Sequence, residues 1–246
     1  MPEGPSLIIA KESLINYKGR KVIDASGTAK IDRAILVGQK LLDIRTWGKQ
    51  LFLCFNKSTI RIHFLMFGAF SVDERTRKKS SIRLRLDMSR KTVLFFYTCS
   101  IVELPRDIDE LYDWDADVMS DRWKPVKAKK KLKEIPDTMV CDALLDQDIF
   151  SGVGNIIKNE VLYRVRLHPE TRISNIPPKK ISELIKESRQ YSFDFLKWKK
   201  ESVLQKHWLA YHKKTCSRCQ LPFHINWCGK TKRKTYYCNN CQVYYK

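Results

Sequence analysis

Four cysteines near the end of the chain constrain it most. Cys216-Ser-Arg-Cys219 and Cys238-Asn-Asn-Cys241 form two Cys-x-x-Cys knuckles, eighteen residues apart. Each knuckle brings two thiolates to one side of a tight turn. Two knuckles at this spacing can present four sulfurs tetrahedrally to one zinc ion. A four-sulfur site leaves no position for water, so the zinc is expected to be structural. Its binding supplies folding free energy to a segment too short to fold alone. His224 and Cys228 lie between the knuckles and rank below the four as ligands. Cys54, Cys99 and Cys141 are scattered through apolar text and read as buried free thiols. A disulfide framework would spread its cysteines more widely in a smaller secreted chain, so intracellular metal binding is the better reading.

The charge balance names the class of partner. Lys and Arg outnumber Asp and Glu by 47 to 27, a formal charge of +20 over 246 residues. Such an excess points to a polyanion, nucleic acid first and an anionic membrane second. No run of eighteen apolar residues is present, and the start MPEGPSLIIAKE has no basic leader ahead of a long apolar stretch. An intracellular protein is therefore expected, in the nucleus or another DNA-containing compartment of a eukaryote and otherwise in the cytoplasm. From residue 202 to the end there is no acid against nine lysines and arginines. Lys230, Lys232, Arg233 and Lys234 sit between the knuckles, just ahead of Tyr236 and Tyr237. A hairpin tipped with these groups suits phosphate contact, although a zinc ribbon also serves as a protein-binding module.

Periodicity divides the rest. KQLFLCF, TIRIHFLMF, SIRLRLDM and TVLFFY, between residues 49 and 97, are rich in β-branched and aromatic residues, with turn signals at FNKS and MSRK. Mainly local connections predict an antiparallel β-sandwich. A helix is expected at residues 10–17. RWKPVKAKKKLK then carries seven basic residues in twelve and reads as a linker or exposed arm. From residue 138 the period is helical, with Ile157, Val161 and Val165 on one face and a further helix from about residue 179 to 200. The expected class is α+β, with a β-sandwich domain at 1–114, a basic linker at 115–137, a helical domain at 138–212 and a zinc-finger hairpin at 213–246.

Two short stretches carry further chemistry. In SGVGN, Gly152 and Gly154 permit a tight turn, and Asn155 opens a helix whose exposed amides favour a phosphate. A plain helix–helix connection explains the same residues. In MPEGP, Pro2 becomes a free secondary amine once Met1 is removed, although most Met-Pro starts give only a stiff terminus.

Taken together and in order, MPEGP, the hairpin lysine of TWGKQLF, DQDIFSGVGNIIKNEVLYR and the cysteine-rich tail resemble the formamidopyrimidine-DNA glycosylase/endonuclease VIII family. The resemblance spans nearly the whole chain. It implies a bifunctional DNA glycosylase and AP lyase of base-excision repair, with a helix-two-turn-helix motif and a zinc finger. Pro2 is then the nucleophile, forming an iminium with the sugar and nicking the strand by β,δ-elimination. An α-amino group titrates near pH ~8, roughly two units below lysine, so part of it is unprotonated at neutral pH. Glu3 is implied as general acid/base. Lys49 is implied as the phosphate-contacting hairpin lysine. Asn155 and Arg233 are implied as backbone contacts on damaged DNA, and Met66 as a wedge filling the space of an extruded nucleotide. The bland reading of Met66 is a strand-end core residue. A monomer is expected, with no membrane partner.

The chain departs from that family in two places. Ser6 stands where many members have a glutamate, so no second carboxylate role is assigned. No Arg-Arg-Phe-Gly loop is found; the corresponding region reads FFYTCSIVELP. With one wedge, tolerance of single-stranded or bubble DNA is expected. The segment between the last helix and Cys216 is short, which favours oxidised pyrimidines and hydantoins over 8-oxoguanine. A non-enzymatic zinc-ribbon DNA-binding protein, or an AP lyase without glycosylase activity, are the competing readings.

Overall fold

The computed structural model describes residues 2–246 and divides the chain into two compact units, Met1–Tyr112 and Asp113–Lys246.

The first unit opens with helix α1 (Gly4–Leu14), which continues as a 3-10 turn to Tyr17. It starts six residues earlier than the apolar pattern from Ala10 suggests. Pro5 lies in the first turn, where a missing N–H costs nothing and a fixed φ helps. Ser6 explains the rest: its Oγ accepts the Glu3 N–H at 3.4 Å, and its own N–H donates to the Glu3 carbonyl at 2.7 Å. The hydroxyl at this position therefore closes the helix start.

Eight strands follow: β1 (Val22–Ser26), β2 (Leu41–Trp47), β3 (Gln50–Phe55), β4 (Ser58–His63), β5 (Ala69–Val72), β6 (Ile82–Met88), β7 (Thr92–Tyr97) and β8 (Ser100–Pro105). They form two antiparallel four-stranded sheets, ordered β1-β6-β7-β5 and β2-β3-β4-β8. The alternation in SIRLRLDM is realised: Ile82, Leu84, Leu86 and Met88 are buried, and the charged residues between them are half-exposed. One apolar core joins Leu7, Ala10 and Leu14 of α1 to Leu53, Ile60 and Ile62 of one sheet and Leu84, Leu94 and Phe96 of the other. The FLMF that continues β4 in the sequence leaves the sheet. Gly68 N–H donates to the Phe64 carbonyl at 2.7 Å, closing a tight turn where a continued strand is expected.

The second unit contains α2 (Pro125–Lys133), α3 (Val140–Ala143), α4 (Asn155–Arg164), α5 (Pro178–Lys200) and the hairpin β9 (His224–Cys228) and β10 (Arg233–Tyr237). Where a basic linker is expected at 115–137, the structure has a docked helix. Ala128 and Leu132 of α2 are buried, and Pro125 starts the helix. Three lysines at its start and along one side are partnered: Lys124 and Lys127 reach Asp115 at 3.0 and 2.9 Å, and Lys131 reaches Asp113 at 2.9 Å. Those hydrogen-bonded ammonium groups hold the Asp115 carboxyl below the usual carboxylate range. The helical period predicts a stripe of Ile181, Leu184, Ile185, Ser188, Ser192, Phe195 and Leu196 on α5; the first six are buried together with Tyr191, and Leu196 is only half-buried. Among the described residues no helix is long and apolar enough to cross a membrane.

Candidate active site and nucleic-acid interface

In the first unit Glu3 is the N-cap of α1 and is fully buried, directly after Pro2. A buried carboxyl-bearing residue is thus bonded directly to the one that carries the proline nitrogen. Lys49 lies in the two-residue connection between β2 and β3, whose ends pair through Trp47 and Gln50. Gln50 also pairs with His63 across β3 and β4. Burial lowers the His63 imidazole below its ordinary value, and the positive charges of Lys49 and Arg61 add to this. Its Nδ1 accepts the Leu65 N–H at 3.1 Å.

That hydrogen bond helps to shape the turn that carries Met66. Leu65, Met66 and Phe67 are 47%, 52% and 71% exposed, so Met66 is a loop-tip residue and the core alternative falls. Sequence reading missed its two neighbours, because three apolar residues after a strand look like more strand. The turn is firmly built. A Cβ on Gly68 would lie 2.2 Å from the Phe64 carbonyl oxygen, and Arg77 Nη1 donates to the Phe67 carbonyl at 2.6 Å. The turn thus holds three apolar side chains out in solvent.

In the second unit the four knuckle cysteines converge. The Sγ atoms of Cys216, Cys219, Cys238 and Cys241 all lie within 4.8 Å of one another, with Cys216–Cys241 at 3.8 Å and Cys219–Cys238 at 3.4 Å. Sulfurs bound tetrahedrally at ~2.3 Å are roughly 3.8 Å apart, so the four fit one ion. Tyr163 Oη lies 3.2 Å from Cys216 Sγ, the type of outer contact that orients a metal-ligating thiolate. His224 and Cys228 are outside this group. Burial pushes the Cys99 and Cys141 thiols up to about 12, as expected of buried free thiols.

The finger is tied to the helices at its edge and at its tip. Asn155 Nδ2 donates to the Lys234 carbonyl at 3.0 Å, which occupies one of its two amide hydrogens. Asn159 pairs with the same edge of β10: its Oδ1 accepts the Tyr236 N–H at 2.7 Å, and its Nδ2 lies 3.4 Å from the Lys234 carbonyl. At the tip, Asp142 accepts the N–H groups of Lys230 and Thr231 at 2.7 and 3.1 Å and the Thr231 hydroxyl at 2.7 Å. Lys230, Lys232, Arg233 and Lys234 are thereby held exposed on a fixed hairpin. Behind it, the buried carboxylate of Glu160 accepts the N–H groups of Leu209, Ala210 and Tyr211 at 3.0, 2.8 and 2.9 Å. Gln147 shapes the turn before α4, accepting the Gly152 N–H at 3.1 Å and donating to the Val153 carbonyl at 3.2 Å. Asp142, Gln147, Asn159 and Glu160 were not singled out from sequence. Only the short spacing of Gln147 from the glycine turn gave a signal.

Comparison with known proteins adds to this geometry. Residues 1–99 match the profile of the formamidopyrimidine-DNA glycosylase N-terminal domain, and residues 116–202 match the formamidopyrimidine-DNA glycosylase H2TH domain. The two matches together cover well over half of the chain. Endonuclease 8-like 3 of Mus musculus is 32% identical over 207 residues, 81% of this chain and 34% of that protein. Endonuclease 8-like 2 of Homo sapiens is 29% identical over 231 residues, covering 87% of this chain and 67% of the relative. Formamidopyrimidine-DNA glycosylase of Ureaplasma parvum is 25% identical over 289 residues, covering 98% of this chain and 100% of the relative. The chain spans about a third of the length of the endonuclease 8-like 3 proteins it matches. Among solved structures, a viral DNA glycosylase aligns with TM-score 0.83 at 21% identity over 98% of this chain and 100% of its own. The Lactococcus lactis formamidopyrimidine-DNA glycosylase bound to DNA containing an AP site aligns with TM-score 0.85 at 20% identity, over 98% and 99%. These two likenesses support the fold. By its matched domains and relatives, the chain belongs to the formamidopyrimidine-DNA glycosylase/endonuclease VIII family.

Proposed function

We propose that this chain is a bifunctional DNA glycosylase and AP lyase acting on oxidised bases in base-excision repair. The observation that carries the reading is Pro2 joined to a fully buried Glu3 at the start of α1. After loss of Met1, the proline nitrogen has a lone pair available at neutral pH. That pair bonds to C1′ of the deoxyribose as the glycosidic bond breaks, and the base departs with the bonding electrons and takes up a proton. Glu3 donates a proton to the ring oxygen, the sugar opens and the nitrogen becomes an iminium. The iminium acidifies the C2′ proton. Its removal expels the 3′ phosphate, and a second elimination expels the 5′ phosphate. Water then releases the sugar fragment and restores the amine.

Lys49 is assigned to the phosphate beside the lesion, Asn155 through its remaining amide hydrogen and Arg233 to the backbone, and Met66 to the space vacated by the extruded nucleotide. Zinc is the proposed occupant of the four-cysteine site, where Cys216, Cys219, Cys238 and Cys241 would hold it. There it supplies a cross-link that stiffens the hairpin carrying Arg233. Oxidised pyrimidines and hydantoins are the proposed lesions.

Duplexes containing thymine glycol, a hydantoin or 8-oxoguanine opposite cytosine, each compared with an abasic duplex, test this reading. Release of the pyrimidine and hydantoin bases faster than 8-oxoguanine is expected. Cleavage of abasic DNA alone would reduce the activity to a lyase, and binding without cleavage would leave only a basic DNA-binding protein.

A further inference from the structure

The outer strand of the finger hairpin carries a feature that the proposed reaction does not use. Trp227 is 70% exposed, and Ile225, two residues earlier on β9, is 44% exposed. The sequence between the knuckles reads FHINWC, and Ile225 and Trp227 leave an apolar strip on one face of β9 open to water. The hairpin register shows what lies beside it. Trp227 is directly opposite Lys234, and Ile225 is directly opposite Tyr236. Opposed residues of an antiparallel pair share a face, with Cβ atoms about 5 Å apart. Trp227, Lys234, Ile225 and Tyr236 therefore line one side of the finger.

The same face continues into the segment before the first knuckle. The Tyr236 ring lies 5.5 Å from Tyr211 and 5.4 Å from His212, and Trp208 lies 5.0 Å from Tyr211. Lys234 Nζ sits 5.7 Å above the Tyr236 ring. Trp208, Tyr211 and the buried Tyr236 thus form an edge-to-face ring cluster that backs Lys234, and Trp227 is the exposed ring beside that lysine. Residues 202–246 contain no acid. The face is complementary to a polyanion, and its exposed indole has a free face for a flat apolar partner.

We infer that this face of the finger is a stacking platform for unpaired bases of single-stranded nucleic acid, with Trp227 as its outermost ring. A duplex offers phosphates to Lys234, but its bases are already stacked on one another and give the indole no free π-face. A single strand supplies both, with the backbone following the cations while an unpaired base lies on the exposed indole. An acidic protein segment would satisfy the lysines and leave Trp227 in water. The platform rests on the repair reading only for its biological setting, because its geometry stands without Pro2.

Affinity for a short unmodified oligothymidylate, measured over a salt series, tests it. Trp227→Ala is expected to weaken binding about tenfold, and Trp227→Phe to retain most of it. The dependence on salt should be unchanged in Trp227→Ala, because no phosphate contact is lost. Lys234→Gln should flatten that dependence by roughly 0.7 in the log–log slope. Zinc content and melting temperature are recorded for each variant, and the ring-retaining variant separates stacking from folding. Wild-type affinity in Trp227→Ala would overturn the platform. So would binding of polyglutamate weakened equally by Trp227→Ala, since it would assign the indole to an acidic protein chain. The adduct trapped by borohydride on an abasic duplex is measured on the same wild-type preparation. Its absence contradicts the glycosylase reading and leaves the platform standing. Its presence with ring-independent oligothymidylate binding overturns the platform alone.

Discussion

Asp142 accepts both the backbone N–H and the hydroxyl of Thr231, at 3.1 and 2.7 Å, across 89 residues of sequence. A carboxylate at the tip of a finger crowded with lysine and arginine looks misplaced until its partners are counted. It takes a third hydrogen bond from the Lys230 N–H at 2.7 Å, so the turn is folded around it. Gly229 makes this approach possible: its φ is +71°, and a Cβ there would fall 2.3 Å from Asp142 Oδ2.

Asp142→Ala is therefore expected to loosen the turn without releasing the metal. A loss of about 1–2 kcal/mol is expected, because the freed N–H groups regain water. Amide exchange at Thr231 should accelerate while zinc content stays constant. Gly229→Ala should cost at least as much, and the double variant less than the two added, because both act on one contact. Additive losses would show that the contact is not shared.

The turn at Leu65, Met66 and Phe67 yields a different signature. These side chains face solvent, so Met66→Ala and Phe67→Ala should change stability by less than about 0.5 kcal/mol. On the proposed void-filling role, their effect is expected on duplex substrates, where a displaced nucleotide leaves a gap to fill. Cleavage of a lesion in duplex DNA should fall severalfold, and cleavage of the same lesion in a single strand should hardly change. An equal loss on both would assign the turn to general binding.

Glu160 carries the largest expected stability effect. Its buried carboxylate holds three consecutive N–H groups, from Leu209 to Tyr211, and lies 3.5 Å from Arg164. Glu160→Ala leaves those groups and part of the Arg164 charge uncompensated, at about 3–5 kcal/mol. Chemical denaturation of the zinc-loaded protein measures it. A loss below about 1 kcal/mol would mean that water replaces the carboxylate.

Acid should undock α2 before it unfolds the sandwich. The Asp115 carboxyl is lowered by its hydrogen bonds from Lys127 and Lys124. A group lowered on folding contributes stability above its unfolded value, near ~3.9, and loses it as pH falls through the folded value. The protection of α2 amides, relative to their intrinsic exchange at each pH, should therefore fall below about pH 4, and Asp115→Asn should remove that fall. Protection of α2 that stays constant through this range in the wild-type chain would contradict the pairing.

Local sequence marked the features whose causes lie within a few residues. The knuckle spacing marked the four sulfurs, alternation marked β6, and a stripe at helical period marked α5. What it missed depends on distant partners. Lys127 and Lys131 look like an exposed basic arm until Asp113 and Asp115 are brought beneath them. Asp142 and Asn159 read as solvated polar residues, because their partners arrive only when the finger folds back on α3 and α4. Leu65 and Phe67 were lost for another reason. Apolar residues following a strand are indistinguishable from more strand until Gly68 closes the turn.

The account stands on the Pro2 nitrogen acting as a nucleophile. Zinc-loaded protein lacking Met1, verified by mass, is mixed with an abasic duplex and sodium borohydride, beside a preparation that retains Met1 and so has an amide at Pro2. A covalent adduct mapping to Pro2 in the first preparation, and none in the second, is the predicted result. Tight DNA binding by both with no adduct from either would contradict the account.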